Sequence, residues 1–162
     1  MRTQNGFTLI ETMIVVTVAG VLLAIGVPAF GGYRNSLALR QATEQVQTDL
    51  ERARQLSITR RASVYMRFGT PPSVATTGIT HYWLHVDTNG NRIVDAGEIN
   101  RRSDLPRSTQ LIDVALNPID TVAFDISGIL TPGHTGGRIV VQNLKLSRDT
   151  VMVSAAGIVY RP

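Results

Sequence analysis

The stretch Phe7–Phe30, with the sequence FTLIETMIVVTVAGVLLAIGVPAF, decides how this chain is organised. Its only charged residue is Glu11, and nearly all its other side chains are apolar or small. At roughly 1.5 Å per residue, a helix of this length reaches about 36 Å, enough to cross a hydrocarbon layer of roughly 30 Å. A secretory signal peptide has a shorter apolar core of about 7–15 residues. Residues 7–30 are therefore predicted to form a transmembrane helix behind a short polar leader at residues 1–6.

Glu11 is the unusual residue of this span. A carboxylate in lipid costs about 2.5–3.5 kcal/mol on insertion scales, and residues 7–30 contain no lysine, arginine or histidine to neutralise it. If the chain were cut ahead of Phe7, the new terminal ammonium on Phe7 would be the nearest cation. In a helical assembly, the Phe7 ammonium of a neighbouring subunit would be the better partner for Glu11. The alternative is that Glu11 lies at headgroup depth and pairs with water. Pro28 is expected to weaken or bend the helix.

Residues 31–59 predict an amphipathic continuation of the same helix. Apolar side chains recur there at steps of three and four, which places them on one face, while charged side chains fill the rest. The apolar positions are Leu39, Ala42, Val46, Leu50, Ala53 and Leu56. We expect this stripe to pack against the protein's own sheet. Packing on the helices of neighbouring subunits is the alternative use of the same face.

Beyond residue 60 the apolar period changes from near 3.6 to near two. Short segments rich in valine, isoleucine, tyrosine and threonine alternate there with glycine, proline, asparagine or aspartate, as in β-strands separated by turns. The predicted strands are residues 62–68, 79–86, 109–115, 121–126, 137–141, 150–153 and 157–160. One long helix followed by short strands indicates an α+β protein with an antiparallel β-domain at residues 60–162.

The composition sets few further bounds. Sixteen basic and twelve acidic residues give a net charge of +4, a mild excess that permits contact with anionic lipid, nucleic acid or an acidic partner without selecting one. Cysteine is absent, so no disulfide supports the fold.

The junction Gly6-Phe7-Thr8-Leu9-Ile10-Glu11, together with Arg2 ahead of it and the apolar run after it, resembles the processing site of type IV pilins and type II secretion pseudopilins. The resemblance implies that a prepilin peptidase cuts after Gly6 and methylates the new amino terminus on Phe7. It also implies pairing of Glu11 with Phe7 of a neighbouring subunit, and Pro28 stands where such pilins carry a helix-kinking proline. The implied topology is a cytoplasmic leader, a single span in the bacterial inner membrane and a periplasmic domain.

Three later segments resemble the GspH/FimT group of this family: ARQLSITRR at residues 53–61, YWLHVD at residues 82–87 and VSAAG at residues 153–157. The resemblance implies a long N-terminal helix that carries a β-sandwich-like domain. It further implies a minor pseudopilin of a type II secretion system, with other pilins and an inner-membrane assembly platform as partners. The alternative function is a minor pilin of a type IV pilus, of the FimT kind that binds DNA during natural transformation.

Residues 87–98, DTNGNRIVDAGE, carry the most pointed local pattern. Oxygen-bearing groups fall at the spacing with which a calcium loop surrounds its ion. The candidate ligands are Asp87, Asn89, Asn91, the backbone carbonyl of Ile93, Asp95 and Glu98. Such loops have glycine at position six, where this chain has Arg92, and this departure weakens the match to a calcium loop. No cofactor other than calcium is expected. A plain hairpin whose Asn89-Gly90 turn joins two strands is the favoured interpretation, and the calcium loop is the alternative.

No catalytic activity is expected from this sequence. His81 and His85 lie four residues apart in a predicted strand, about 13 Å, which is too far to share one metal ion. No nucleophile motif or phosphate-binding loop is present.

Nucleic-acid binding has more support in the sequence than catalysis and is the main alternative function. Some members of the group bind DNA through a Gly-Arg-x-Arg pattern near the C-terminus, and this chain matches that pattern only in part at Gly137-Arg138 and near Arg161. Arg138, Arg148 and Arg161, with Arg101, Arg102 and Arg107, would form a phosphate-binding patch if the fold brought them together. Separate arginines on a solvated surface are the favoured interpretation, because isolated charges of this kind are usually surface residues.

Overall fold

The computed structural model describes residues 7–69, 78–117 and 120–162, except for the side chains of residues 27–30 and 117. The chain divides into two compact units, Met1–Arg34 and Asn35–Pro162. The predicted leader, including Gly6, lies outside the described residues.

A single long helix, α1 (Leu9–Arg60), opens the described chain. Thr8 caps it, because its side-chain Oγ1 accepts the backbone N–H of Glu11 at 3.3 Å. The helix passes through Pro28 without interruption, so the weakening predicted there does not end it.

The second part of α1 forms one side of the core. The predicted apolar stripe is confirmed: five of its members are buried, and Leu56 packs against them. Polar contacts add to this packing. The hydroxyl of Tyr82 donates to Asp49 at 2.7 Å, and Gln45 donates to the backbone carbonyl of Asp104 at 3.0 Å. Burial, followed by the bond to Asp49, raises the pKa of Tyr82, which keeps its hydroxyl protonated.

Eight strands follow the helix: β1 (Ser63–Phe68), β2 (His81–Asp87), β3 (Ile99–Asp104), β4 (Thr109–Asn117), β5 (Thr121–Phe124), β6 (Gly136–Asn143), β7 (Arg148–Val153) and β8 (Val159–Tyr160). They form two antiparallel four-stranded sheets, with the orders β3-β2-β1-β5 and β4-β6-β7-β8. All seven predicted strands are present within a few residues of their predicted bounds. The eighth, β3, was not predicted because its sequence INRRSD is polar and almost entirely exposed.

One hydrophobic cluster joins the stripe of α1 to both sheets. It contains Met66 and Leu84 from the first sheet and Val114 and Ile139 from the second. The α+β class is therefore confirmed, with two antiparallel sheets that share a core with the helix.

Strand β6 begins where backbones approach very closely. A Cβ placed on Gly136 would lie 2.2 Å from the carbonyl oxygen of Val153, and one on Gly137 would lie 1.9 Å from that of Ala115. Both glycines also have positive φ angles, 77° and 151°. Only glycine fits at these two positions without moving a neighbouring strand.

Candidate functional site

The N-terminal part of α1 exposes an apolar surface with one acidic residue. None of the window Leu9–Gly26 is buried, and its mean hydropathy of 2.3 meets the length and composition expected of a membrane span. Glu11 lies in the first turn, where a negative charge interacts favourably with the helix dipole. Within the described part of the chain, no ion pair involves Glu11.

The structure also shows a helix cap by Thr8 that the sequence analysis missed. Thr8 and Glu11 have the Thr-x-x-Glu spacing of a capping box, and the half in which Thr8 accepts the N–H of Glu11 is formed. This spacing was readable in the sequence. The Glu11 side chain itself is shown only at the positive end of the helix dipole, and its intersubunit charge pair stays a prediction.

The 87–98 loop joins β2 to β3 and folds around its own carboxylates. Asp87 accepts the backbone N–H groups of Gly90 at 2.7 Å and Arg92 at 2.8 Å. The two strands pair antiparallel, as the hairpin interpretation expects, but the two-residue Asn-Gly turn was wrong: the connection extends to residue 98. The Asp87 carboxylate holds the backbone of a longer loop by these hydrogen bonds, so a two-residue turn does not form.

The predicted calcium ligands use their polar groups within the loop. The side-chain nitrogens of Asn89 and Asn91 donate to the same oxygen of Asp95, at 2.7 and 2.6 Å. Among the described residues, no group of three or more histidine, cysteine, aspartate or glutamate side chains is arranged to hold a metal ion. Calcium binding at this loop stays a prediction.

Glu98 closes the loop through a buried contact with His85. His85 Nε2 and Glu98 Oε2 lie 2.8 Å apart, and the two side chains are only 2% and 4% exposed. The hydrogen bond to His85, followed by that from the backbone of Thr88, lowers the pKa of Glu98 from 4.5 to about 2. Both residues had been considered only as metal ligands, since their pairing depends on a loop path that residue spacing does not reveal.

The three arginines proposed for nucleic acid do not form one basic patch. Arg138 binds Asp113 with Nε at 2.9 Å and Nη2 at 2.8 Å, and Arg161 pairs with Asp149. The register of β6 and β7 separates Arg138 and Arg148 by four residues along the sheet, about 13 Å. Carboxylates thus compensate two of the three charges, and nucleic-acid binding at these residues stays a prediction.

Comparison with known proteins agrees with this architecture. Residues 42–157 match the family described as type II transport protein GspH, and residues 1–27 match the prokaryotic N-terminal methylation motif. The crystal structure of the type IV minor pilin FimU of Pseudomonas aeruginosa is similar, with a TM-score of 0.56 and 16% identity over 80% of this chain and 90% of FimU.

Several curated relatives also match at the sequence level, including the following two. The pilin-like protein PilA1 of Thermus thermophilus is 40% identical over 96 residues, which are 59% of this chain and 56% of PilA1. Prepilin peptidase-dependent protein D of Escherichia coli is 46% identical over 48 residues, or 30% of this chain and 31% of that protein. This chain therefore spans little more than half of the first relative's length and about a third of the second's.

The long N-terminal helix with an exposed apolar first part, followed by antiparallel sheets, agrees with the two family matches, which assign the chain to the type IV pilin and pseudopilin class. Within that class, the chain belongs to the GspH family.

Proposed function

We propose that this protein is a minor pseudopilin of a type II secretion system. In this proposal a prepilin peptidase removes residues 1–6 by cutting after Gly6, and Phe7 becomes the methylated amino terminus. Residues 7–30 insert into the inner membrane, residues 31–59 continue the helix, and residues 60–162 form the periplasmic domain. The match to the GspH family and to the N-terminal methylation motif supports this proposal.

The observation that carries the proposal is the apolar surface of Leu9–Gly26, none of which is buried by the rest of the chain. A surface of this kind requires lipid or other apolar helices around it. During assembly, contacts with other subunits' helices would replace lipid contacts. The Glu11 carboxylate would then pair with the Phe7 ammonium of a neighbour and set the axial position of the subunit.

A minor pilin of a type IV pilus is the second candidate function. The fold similarity to the minor pilin FimU favours it. The two candidates share processing, membrane insertion and assembly with other pilins through an assembly platform, and they differ in the machine that receives the subunit. DNA binding of the FimT kind would require the arginines described above to act despite their carboxylate partners.

The variant Glu11→Gln tests the assembly mechanism. Glutamine keeps the capping-box spacing and the polar contact at the helix start but removes the charge. We expect the variant to enter the membrane normally and to be incorporated poorly into filaments. Glu44→Gln, at an exposed position of the second part of α1, is the matched control and should assemble like the wild type. Normal incorporation of Glu11→Gln would refute the charge pair.

Two measurements test the rest of the proposal. Mass spectrometry of the purified protein should show a methylated chain that starts at Phe7, and an intact Met1 would contradict processing. A strain that lacks the gene should lose secretion of exported proteins while it retains pili. Loss of pili or of DNA uptake with normal secretion would favour the second candidate.

A further inference from the structure

The tip of the β6–β7 hairpin exposes two leucines on either side of the only lysine in the chain. Leu144 and Leu146 are each 74% exposed, and Lys145 is exposed between them. Residues 144–146 are here called the hairpin tip. Its two leucines are the most exposed large apolar side chains among the described residues of the unit Asn35–Pro162.

Hydrogen bonds to neighbouring segments fix the backbone of the hairpin tip. Asn143 is buried, and its side-chain oxygen accepts the backbone N–H groups of Lys145 and Ser147, both at 3.0 Å. Its side-chain nitrogen donates to the backbone carbonyl of Asn35 at 3.1 Å, and the N–H of Leu144 donates to the carbonyl of Ser108 at 3.2 Å. The leucines are thus presented outward by an ordered turn.

Neither packing nor turn geometry accounts for a leucine at position 146. Its φ angle is 61°, in the left-handed region that glycine or asparagine adopts more easily. A residue with a Cβ pays roughly 1–2 kcal/mol in this conformation, and the exposed side chain recovers nothing from the core. An external apolar contact would explain why the position carries leucine.

The surroundings of the hairpin tip are positively charged. Its supporting segments are residues 35–43 of α1, residues 105–108 and residues 143–148, and their sequences contain no aspartate or glutamate. The same segments expose four cations, which are Arg40, Arg107, Lys145 and Arg148. Three carboxylates directly flank these segments along the chain: Asp104 and Asp149 are paired with Arg102 and Arg161, whereas Glu44 is exposed. The segments themselves carry four cations and no carboxylate. This combination suits an anionic surface.

The hairpin tip is also tied to the chain close to its membrane span. Asn35, which the side chain of Asn143 contacts, follows Gly26, the last residue of the apolar window, by nine residues. Nine residues of helix correspond to about 14 Å of chain, and even full extension gives only about 30 Å. The chain between the span and Asn35 is therefore short enough to allow the hairpin tip to meet a bilayer that holds the span.

We propose that the hairpin tip is a membrane-contact site, in which Leu144 and Leu146 enter the interfacial layer of a bilayer that contains anionic lipid. Lys145 keeps its ammonium among the headgroup phosphates while its stem lies along the leucines. A lipid surface fits better than a protein partner, because two leucines on a narrow turn fall far short of the roughly 800 Å² per side of a standard protein interface. The proposal rests on membrane insertion of the span but not on either filament role.

Fluorescence of a single labelled cysteine tests this contact in the full chain. The sequence has no cysteine, so Leu144→Cys or Leu146→Cys supplies the only thiol for an environment-sensitive probe. The labelled protein is reconstituted into vesicles of phosphatidylcholine and phosphatidylglycerol that carry a nitroxide-labelled lipid. We expect blue-shifted emission and strong quenching by the nitroxide at both positions.

Ile158→Cys is the matched control. Ile158 is 53% exposed and lines a groove with Ile58, which lies 23 residues beyond Asn35 on α1, or about 35 Å along the helix. Its probe should show weak quenching. Vesicles of phosphatidylcholine alone should weaken the membrane contact at position 144, because they lack anionic lipid. The additional change Lys145→Glu should also weaken it, and each lost cation–lipid attraction should lower the membrane affinity by about fivefold.

Flotation of the vesicles with the protein checks insertion of the span separately. If the chain floats with the vesicles but positions 144 and 158 are quenched equally, the contact is refuted while anchoring stands. If the chain does not float, both anchoring and contact are refuted. A blue shift at position 144 without quenching by the lipid nitroxide would place the probe against protein, either this chain or a second copy, and overturn the proposal.

Discussion

The two parts of α1 have similar helical structure and opposite surroundings. In Leu9–Gly26 the apolar side chains cover the whole circumference, and none is buried by the rest of the chain. In the part that follows Asn35, apolar side chains occupy one stripe, and nearly all of that stripe is buried in the core. A helix that is apolar all round needs an apolar solvent or other helices, whereas a striped helix needs only one sheet.

This difference separates stability from assembly. The striped part contributes to the folding free energy of the β-domain, since its side chains leave water when the domain folds. The uniformly apolar part contributes to partition between water, lipid and other subunits. Substitutions of the same residue type in the two parts should therefore be detected by different experiments.

The largest effect is expected from a pair of leucine substitutions. Leu50→Ala removes a fully buried side chain and should lower the free energy of unfolding of the β-domain by about 2–5 kcal/mol. Leu22→Ala, at a residue that is 65% exposed, should leave that free energy unchanged. Denaturant unfolding of the full chain in detergent, followed by the fluorescence of the single tryptophan, Trp83, measures both.

A comparable loss of stability in both variants would break the comparison. It would mean that the first part of α1 supports the β-domain directly. Membrane flotation completes the pair, because Leu22→Ala should weaken retention of the chain in lipid and Leu50→Ala should not.

A smaller effect is expected from the polar link between α1 and β2. Tyr82→Phe keeps the ring in the core but removes the hydroxyl that donates to Asp49, and should cost about 1–2 kcal/mol of unfolding free energy. Tyr33→Phe changes an exposed tyrosine that precedes the striped part and should cost nothing measurable. Equal stability of the Tyr82→Phe variant and the wild type in the same unfolding assay would show that apolar packing alone holds the helix.

The smallest effect concerns the 87–98 loop, which is held by polar contacts and provides a contrast to the apolar stripe. The pKa of Glu98 lies below its ordinary value of 4.5, at about 2, so its carboxylate stabilises the fold above about pH 4.5. That stability is lost as the pH falls from about 4.5 towards about 2. We expect the melting temperature of Glu98→Gln to depend less on pH across this window than that of the wild type.

Glu44→Gln serves as the control for the pH series, because Glu44 is exposed on α1. Its melting temperature should follow the wild-type profile. If Glu98→Gln also follows that profile, the contact between His85 and Glu98 does not stabilise the folded domain.

Periodicity allowed much of the fold to be predicted. The change from uniform to striped to alternating apolar residues identified the apolar span, the buried face of α1 and seven of the eight strands. Each of these patterns reports a local surface that must be covered, so a single sequence contains the information. The short motif at residues 6–11 and the later segments also led to the right family, which the match of residues 42–157 confirms.

The remaining features depend on contacts between distant residues. Strand β3 forms because β2 offers it hydrogen bonds, although its own residues are polar. The long 87–98 connection and the contact of His85 with Glu98 follow from the loop path. The ion pairs of Arg138 and Arg161 depend on strand register, which sequence spacing did not supply. Such contacts are set by tertiary structure and leave no local period.

The close backbone approach at the start of β6 affects how short sequence signatures should be used. Gly137 is required by the carbonyl of Ala115, whereas Arg138 forms only a surface ion pair with Asp113, which contributes little to stability. A motif search that treats this dipeptide as a sign of nucleic-acid recognition would also find proteins that share only the close backbone approach at the start of this strand. Saturation mutagenesis would show the distinction directly, with position 137 intolerant of every replacement and position 138 permissive.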